Sequence, residues 1–306
     1  MSAPLPSVRQ LVYLVALHEH LHFGRAASAC FVTQPTLSVG IAELESVLGA
    51  VLVERTKRSV RFTALGEEVV ARARQLVRAA EDLCAVAQGA REPLVGSVRM
   101  AAIPTVAPFL LPRILDAAGA TWPRLRLVVR ETLTGPACEA LHRGTTDCVL
   151  LALPAACGDV EVYDIAVDRL VLAMPSDAAP PEAPVSLDSI DSGRLLLLEG
   201  GHCLRDHALA ACKATEPASD TPLVASTLET LVRLVEAGRG VTLLPEMGVA
   251  AGILAGSRVH GRAIEGAERR IALVWRQDHP RRAELRLLGQ TIREAVAPAA
   301  SPATSR

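Results

Sequence analysis

From residue 98 onward, short apolar runs alternate with amphipathic stretches, and this alternation constrains the fold more than any other feature of the sequence. Strand-like runs occupy 98–103, 125–130, 148–152, 170–174, 195–198, 223–226, 241–244 and 271–275. Helix-like segments lie at 110–118, 138–142, 205–214, 228–237 and 283–296. Such alternation implies α/β layering around a largely parallel sheet. Half of the 306 residues are hydrophobic. That is enough apolar surface for more than one core, and it excludes a disordered or collagen-like chain. No apolar stretch approaches roughly 18–20 uninterrupted residues, so no transmembrane span is expected.

Residues 1–62 carry a different pattern of short, tightly punctuated helices. Ser7 is placed to cap a helix with Val8, Leu11, Val12 and Val15 on one face. A second helix shows Phe23, Ala26, Ala27 and Cys30 on one face. Thr33 is an N-cap candidate for a third, with Pro35 in the permitted first turn and Gly49 at the end. The runs 52–55 and 59–62 are spaced to pair as two short strands around Thr56-Lys57-Arg58. Helix, turn, helix and basic two-stranded tip is the layout of a winged helix-turn-helix, which sets its second helix in a major groove. Six Arg/Lys against four Glu make this segment +2, with four of the six at 55–61. Periodicity alone favours a helical hairpin with a solvated basic turn over this layout.

Residues 64–91 read as one long helix. Val69, Ala73, Leu76, Ala80, Leu83 and Ala87 form a heptad-like seam that needs a partner surface. A linker follows from Gly89 to Gly96, and the tail 298–306 reads as disordered. The expected domains are therefore 1–63, a 64–91 linker and dimerisation helix, and 95–297.

Net charge is −1, from 32 basic and 33 acidic residues, so the whole chain does not advertise a polyanion partner. Four Phe, two Tyr and two Trp are too few for a base-stacking platform. Seven scattered cysteines, none in C-x-x-C spacing, resemble neither a secreted disulfide framework nor a zinc ribbon. The N-terminal apolar stretch is amphipathic and charged, unlike a signal peptide. The expectation is a cytoplasmic protein with reduced thiols and no metal or cofactor.

Several segments closely resemble the DNA-binding module of LysR-type transcriptional regulators. They are Phe23-Gly24-Arg25-Ala26-Ala27, Val32-Thr33-Gln34-Pro35-Thr36-Leu37-Ser38, Leu44-Glu45-x-x-Leu48-Gly49, Leu52-Val53-Glu54-Arg55 and Phe62-Thr63-x-x-Gly66. The resemblance implies an N-terminal all-α winged helix-turn-helix with a long linker helix. It also implies a C-terminal α/β effector domain of two subdomains, like a periplasmic binding protein. Subdomain I would take about 95–166 and 268–297, and subdomain II about 167–267. The implied DNA contacts are Gln34, Pro35, Thr36 and Ser38 on the recognition helix, and Arg55 and Arg58 near the wing. The implied partners are double-stranded promoter DNA, a second copy of the chain as homodimer or homotetramer, and RNA polymerase. The chain departs from the family at Gly40, usually Gln, and at Ala42, often basic. Fewer base or phosphate contacts are expected there.

The segment 195–212, LLLLEGGHCLRDHALAAC, is the richest in chemistry. Cys203 follows two glycines and His202 at the mouth of a helix, where free N–H groups and Arg205 would lower a thiol pKa. A small buried apolar role for Cys203 is the competing reading. A His202/Cys203 metal or protease site finds no further ligands.

Gly-His-Cys-Leu-Arg-Asp, with a cysteine nine residues on, resembles the redox segment of the hydrogen-peroxide-sensing LysR-type regulators. So do Ile103-Pro104-Thr105-Val106, Asp147-Cys148-Val149-x-Leu-Ala, Ser226-x-Leu-Glu-Thr-Leu and Gly240-x-Thr-Leu-Leu-Pro. This resemblance implies a peroxidatic Cys203, a resolving Cys212, and a peroxide pocket of Thr105, Thr134, His202 and Arg270. It implies a non-enzymatic activator of oxidative-stress genes. Nine helical residues would hold Cys203 and Cys212 roughly 13 Å apart, so the implied disulfide requires the helix to unwind. Two alternatives remain: a LysR-type regulator answering a small molecule in its interdomain cleft, and a thiol peroxidase or solute-binding protein.

Overall fold

A computed structural model describes residues 4–55, 60–89, 92–177, 190–213 and 223–297. Arg58 and the tail 298–306 lie outside the described residues. The chain forms two compact units, the second beginning at residue 92.

The first unit is built from α1 (Val8–His20), α2 (Phe23–Ala29) and α3 (Gln34–Leu48), then β1 (Val53–Arg55), β2 (Val60–Phe62) and α4 (Ala64–Gly89). Ser7 caps α1 in a reciprocal capping box with Gln10. Thr33 accepts from the Thr36 N–H, and Gly49 closes α3 in the left-handed conformation. His22 caps α2 through Nδ1, which accepts from the N–H groups of Gly24 and Arg25. Leu14, Leu17, Leu37, Ile41 and Leu44 form the shared core. Strands β1 and β2 pair antiparallel, with Arg55 opposite Val60. The α4 seam divides along its length. Val69 is half-buried and Ala73 buried, while Leu76 and Leu83 remain 54% and 72% exposed.

Gly40 is buried under the Tyr13 ring, and a Cβ added there would lie 2.6 Å from Tyr13 Cδ2. The Gly40 departure is therefore a packing feature, with the tyrosine filling the space that a larger side chain would need. Gly40→Gln is expected to destabilise this unit by about 1–3 kcal/mol through overpacking. Thermal melts should show Tyr13→Ala recovering part of that loss.

The second unit holds one six-stranded sheet in the order β4-β3-β5-β8-β6-β7. Its strands are β3 (Gly96–Ala102), β4 (Leu125–Glu131), β5 (Cys148–Leu153), β6 (Val160–Pro175), β7 (Thr242–Pro245) and β8 (Val259–Arg276). Its helices are α5 (Ala107–Thr121), α6 (Thr134–His142), α7 (Cys203–Ala211), α8 (Leu228–Glu236), α9 (Glu246–Ala250) and α10 (Arg282–Val296). The sheet is mixed rather than largely parallel. Strand β3 runs parallel to β4 and β5, but β8 is antiparallel to β5 and β6, and β7 is antiparallel to β6. The long strands β6 and β8 were legible only over 170–174 and 271–275, because alternate residues in their other halves face solvent. Segments 195–198 and 223–226 make single parallel bridges rather than strands.

Two apolar cores flank this long ribbon. One gathers residues of β3, β5, α5, α6 and α10 with the ends of β6 and β8 that face them. The other gathers α7, α8, β7 and the opposite ends of β6 and β8. Register shifts in β6 fall at Asp164/Ala166 and Arg169/Val171, between the two cores.

Candidate functional site

Cys203 is the first residue of α7, and His202 is its N-cap. The thiol is buried, packed into the core that holds β5 and α6. Burial pushes its pKa up; Arg269, the Thr134 hydroxyl and the Ala152 backbone pull the other way and do not prevail. The expected lowering by the helix start and Arg205 is thus corrected. Arg205 spends a guanidinium N–H on the Leu198 carbonyl at 2.9 Å, and the cation that acts on the thiol is Arg269. A raised pKa leaves Cys203 mainly as thiol at neutral pH. Its alkylation rate is expected to keep climbing as pH rises past the ordinary thiol range, with no plateau near neutrality.

Arg269 and Asp168 stand opposite each other in the β6–β8 ladder. Arg269 Nε donates to Asp168 Oδ2 at 2.9 Å. Its two terminal nitrogens donate to the Thr105 hydroxyl at 2.9 Å and the Thr105 carbonyl at 2.8 Å. The free Asp168 oxygen accepts from the Met247 N–H. Both side chains are essentially excluded from water, so the pair is a fixed internal cation and anion.

Arg270, the sequence-predicted pocket arginine, lies elsewhere. It is half exposed and binds Asp164 Oδ1 at 2.7 Å. Strand β8 alternates faces, so adjacent residues point oppositely, and Arg269 takes the inward position. Arg270→Ala is expected to change stability by no more than about 0.5 kcal/mol and to leave the Cys203 alkylation rate unchanged.

The structure brings Thr105, Thr134, Cys203 and Arg269 together. Thr134 opens α6, and its buried hydroxyl sits beside the Cys203 thiol with no other partner among the described residues. His202 is also buried, with Nε2 3.9 Å from Glu199 Oε1 and Nδ1 without a hydrogen-bond partner among the described residues. Burial lowers its pKa against the pull of Glu199, so it is neutral at pH 7. His202 and Thr105 line a cavity of 350 Å³ with Glu131, Glu199 and Glu229. His207, one turn after Cys203, was missed by sequence reasoning. Its Nε2–H donates to the Pro154 carbonyl at 3.0 Å, leaving Nδ1 buried without a partner among the described residues. Cys212 is the half-buried C-cap of α7, at the opposite end from Cys203. An intact helix between them corresponds to roughly 13 Å.

The expectation of reduced thiols throughout is also corrected. Cys138 on α6 and Cys157, after β5, form a disulfide with Cα atoms 5.2 Å apart. Cys30, Cys84, Cys148, Cys203 and Cys212 are free.

On the first unit, Gln34, Pro35 and Thr36 are exposed at the start of α3, and Ser38 is half-buried. The Thr36 hydroxyl shares a hydrogen bond with that of Thr33 at 2.8 Å. Ala42 is exposed and adds no polar group to this face. Arg55 ends β1, and residues 56–59 after it lie outside the described residues.

Residues 8–67 match the bacterial regulatory helix-turn-helix protein of the lysR family, and residues 91–297 match the LysR substrate binding domain. The chain belongs to the LysR family of transcriptional regulators. It is 44% identical over 297 residues to the HTH-type transcriptional regulator EstR of Acinetobacter baylyi, covering 96% of this chain and 99% of that protein. It is 39% identical over 293 residues to the DNA-binding transcriptional dual regulator OxyR of Escherichia coli, covering 94% and 95%. A full-length cysteine-to-aspartate variant of OxyR from Pseudomonas aeruginosa superposes with a TM-score of 0.74 at 33% identity, covering 95% of each chain. A hydrogen-peroxide-bound cysteine-to-serine mutant of Corynebacterium glutamicum OxyR gives 0.63 at 29% identity, covering 96% and 94%. A LysR-type regulator is a DNA-binding, oligomer-forming transcription factor and not an enzyme, which sets aside the thiol-peroxidase reading. Among the described residues no helix is long and apolar enough to cross a membrane.

Proposed function

We propose that this LysR-type regulator responds to hydrogen peroxide through oxidation of Cys203 and its later pairing with Cys212. The observation that carries the reading is the buried Cys203 thiol, which meets the Thr134 hydroxyl and the field of the fixed Arg269 cation. Thr105 and Thr134 hydroxyls both donate and accept, which suits the peroxide. His202, neutral at pH 7, orients it by hydrogen bonding, and the proton lost by the Cys203 thiol goes to the leaving oxygen. In this assignment Arg269 takes the role expected of Arg270. The Cys203 thiolate attacks one peroxide oxygen, the O–O bond breaks, and hydroxide leaves and is protonated to water. The product is a sulfenic acid. Cys212 then attacks that sulfur, the S–S bond forms, and a second water departs. A cellular dithiol reverses the change.

The refolded 203–212 segment would alter contacts between copies and re-space the DNA-binding units on their operator. DNA contact would fall to Gln34, Pro35, Thr36 and Ser38, with Arg55 and Arg58 at the wing. RNA polymerase would be the downstream partner at oxidative-stress promoters, with the cytoplasm as the compartment. An operator footprint before and after peroxide tests this. The footprint should shift in the wild type and stay fixed in Cys203→Ser; an identical shift in Cys203→Ser would sink the mechanism.

A second reading rests on the 350 Å³ cavity, whose size suits a small-molecule effector. A thermal shift from a metabolite panel, with none from peroxide, would favour it.

A further inference from the structure

We propose that Cys138 and Cys157 are a second redox pair, whose state sets how easily α7 lets go of the Cys203 pocket. Both cysteines are buried, at 5% and 4% exposure, in the same core as Cys203. They sit on the two pieces of chain that hold the pocket. Cys138 lies one helical turn after Thr134 on α6, so the bond grips the helix that places the Thr134 hydroxyl beside the Cys203 thiol. Cys157 anchors a loop in which Pro154, Ala156, Gly158 and Asp159 are all exposed. A second tie comes from His142, at the far end of α6, whose Nε2–H donates to the Cys157 carbonyl at 2.7 Å. The same loop supplies the Pro154 carbonyl that holds His207 of α7.

A closed bond therefore fixes α6, the loop and α7 together. An open bond leaves the loop held by the His142 contact and its own packing, and its exposed residues let it swing and free α7. The couple is a dithiol–disulfide exchange with a small disulfide such as oxidised glutathione. One cysteine thiolate attacks a glutathione sulfur and expels a first glutathione thiolate. The other cysteine then attacks the mixed disulfide and expels a second. The protein loses two electrons and two protons, and one glutathione disulfide becomes two thiols.

The effect on α7 rests on the proposed Cys203–Cys212 switch, whereas the redox couple itself does not, so the test has two arms. In the Cys203→Ser/Cys212→Ser chain, the pair is equilibrated across a range of reduced-to-oxidised glutathione ratios and mapped by non-reducing peptide mass. A single transition between dithiol and linked peptides is expected. A pair that stays dithiol throughout, or stays linked under excess dithiothreitol in the folded protein, overturns the proposal. In the second arm, peroxide-driven Cys203–Cys212 linkage is timed in the wild type with the pair closed and in Cys138→Ala/Cys157→Ala. The variant should react about threefold faster or more; an equal or slower rate overturns the coupling. If the double variant fails to fold, Cys157→Ala alone opens the same bond with Cys138 left in its packing. Absence of any Cys203–Cys212 linkage in the wild type would count against the coupling and the primary switch, while the first arm still decides whether the pair is a redox couple.

Discussion

Arg269→Ala should cost about 3–5 kcal/mol of stability, the loss expected when one partner of a buried ion pair is removed. The guanidinium is fully enclosed and satisfies the Asp168 carboxylate and both oxygens of Thr105. Without it, Asp168 keeps only the Met247 N–H among these contacts and is left charged in a dry site. The melting temperature and the denaturant midpoint should both fall, with the denaturant slope unchanged. Asp168→Ala in the same chain should recover part of the loss, because the stranded charge goes with it. The Cys203 pKa should rise further in Arg269→Ala, since its principal lowering influence is gone. Arg269→Lys keeps the charge but not the fork that reaches Asp168 and Thr105 at once, so it should fall between the two. An Arg269→Ala protein that melts like the wild type would show that the pair contributes little to stability.

Oxidation should dismantle α7. A disulfide requires Cα atoms within about 7 Å, and the intact helix separates Cys203 from Cys212 by roughly 13 Å. The backbone N–H groups of residues 204–211 should therefore lose hydrogen-exchange protection, or change it markedly, once peroxide is added. The loss should extend to the loop at Pro154, because His207 must leave its carbonyl. Cys212→Ser should hold α7 near its reduced protection, since the sulfenic acid alone imposes no new geometry. Unchanged exchange across α7 in an oxidised chain would mean that the signal does not pass through this helix.

The helix caps were legible because they are local: Ser7, Thr33 and Gly49 each do what their type and spacing imply. The order of elements beyond residue 95 was legible from alternation. Strands β6 and β8 were only half legible, since an antiparallel ribbon with one wet face breaks an apolar run into alternate residues. The same alternation was the missed clue at Arg269. Buried Ala267 shares its parity along β8, whereas Glu268 and Arg270 fall on the exposed side; residues 271–275 are buried on both faces and do not separate the two arginines. Asp168 was invisible because its partner lies 101 residues away. Cys138 and Cys157 lack a motif spacing, and only the approach of α6 to the loop after β5 makes them a pair. At Gly40 the explanation lay 27 positions upstream in Tyr13.

The most direct test of the thiol switch is non-reducing peptide mapping of the full-length protein before and after one equivalent of peroxide. The reduced protein should yield separate Cys203 and Cys212 peptides, and the oxidised protein a linked pair, with Cys148 unmodified and still protected by complete burial. If Cys203 and Cys212 both stay free thiols while peroxide still shifts the operator footprint, the account is contradicted.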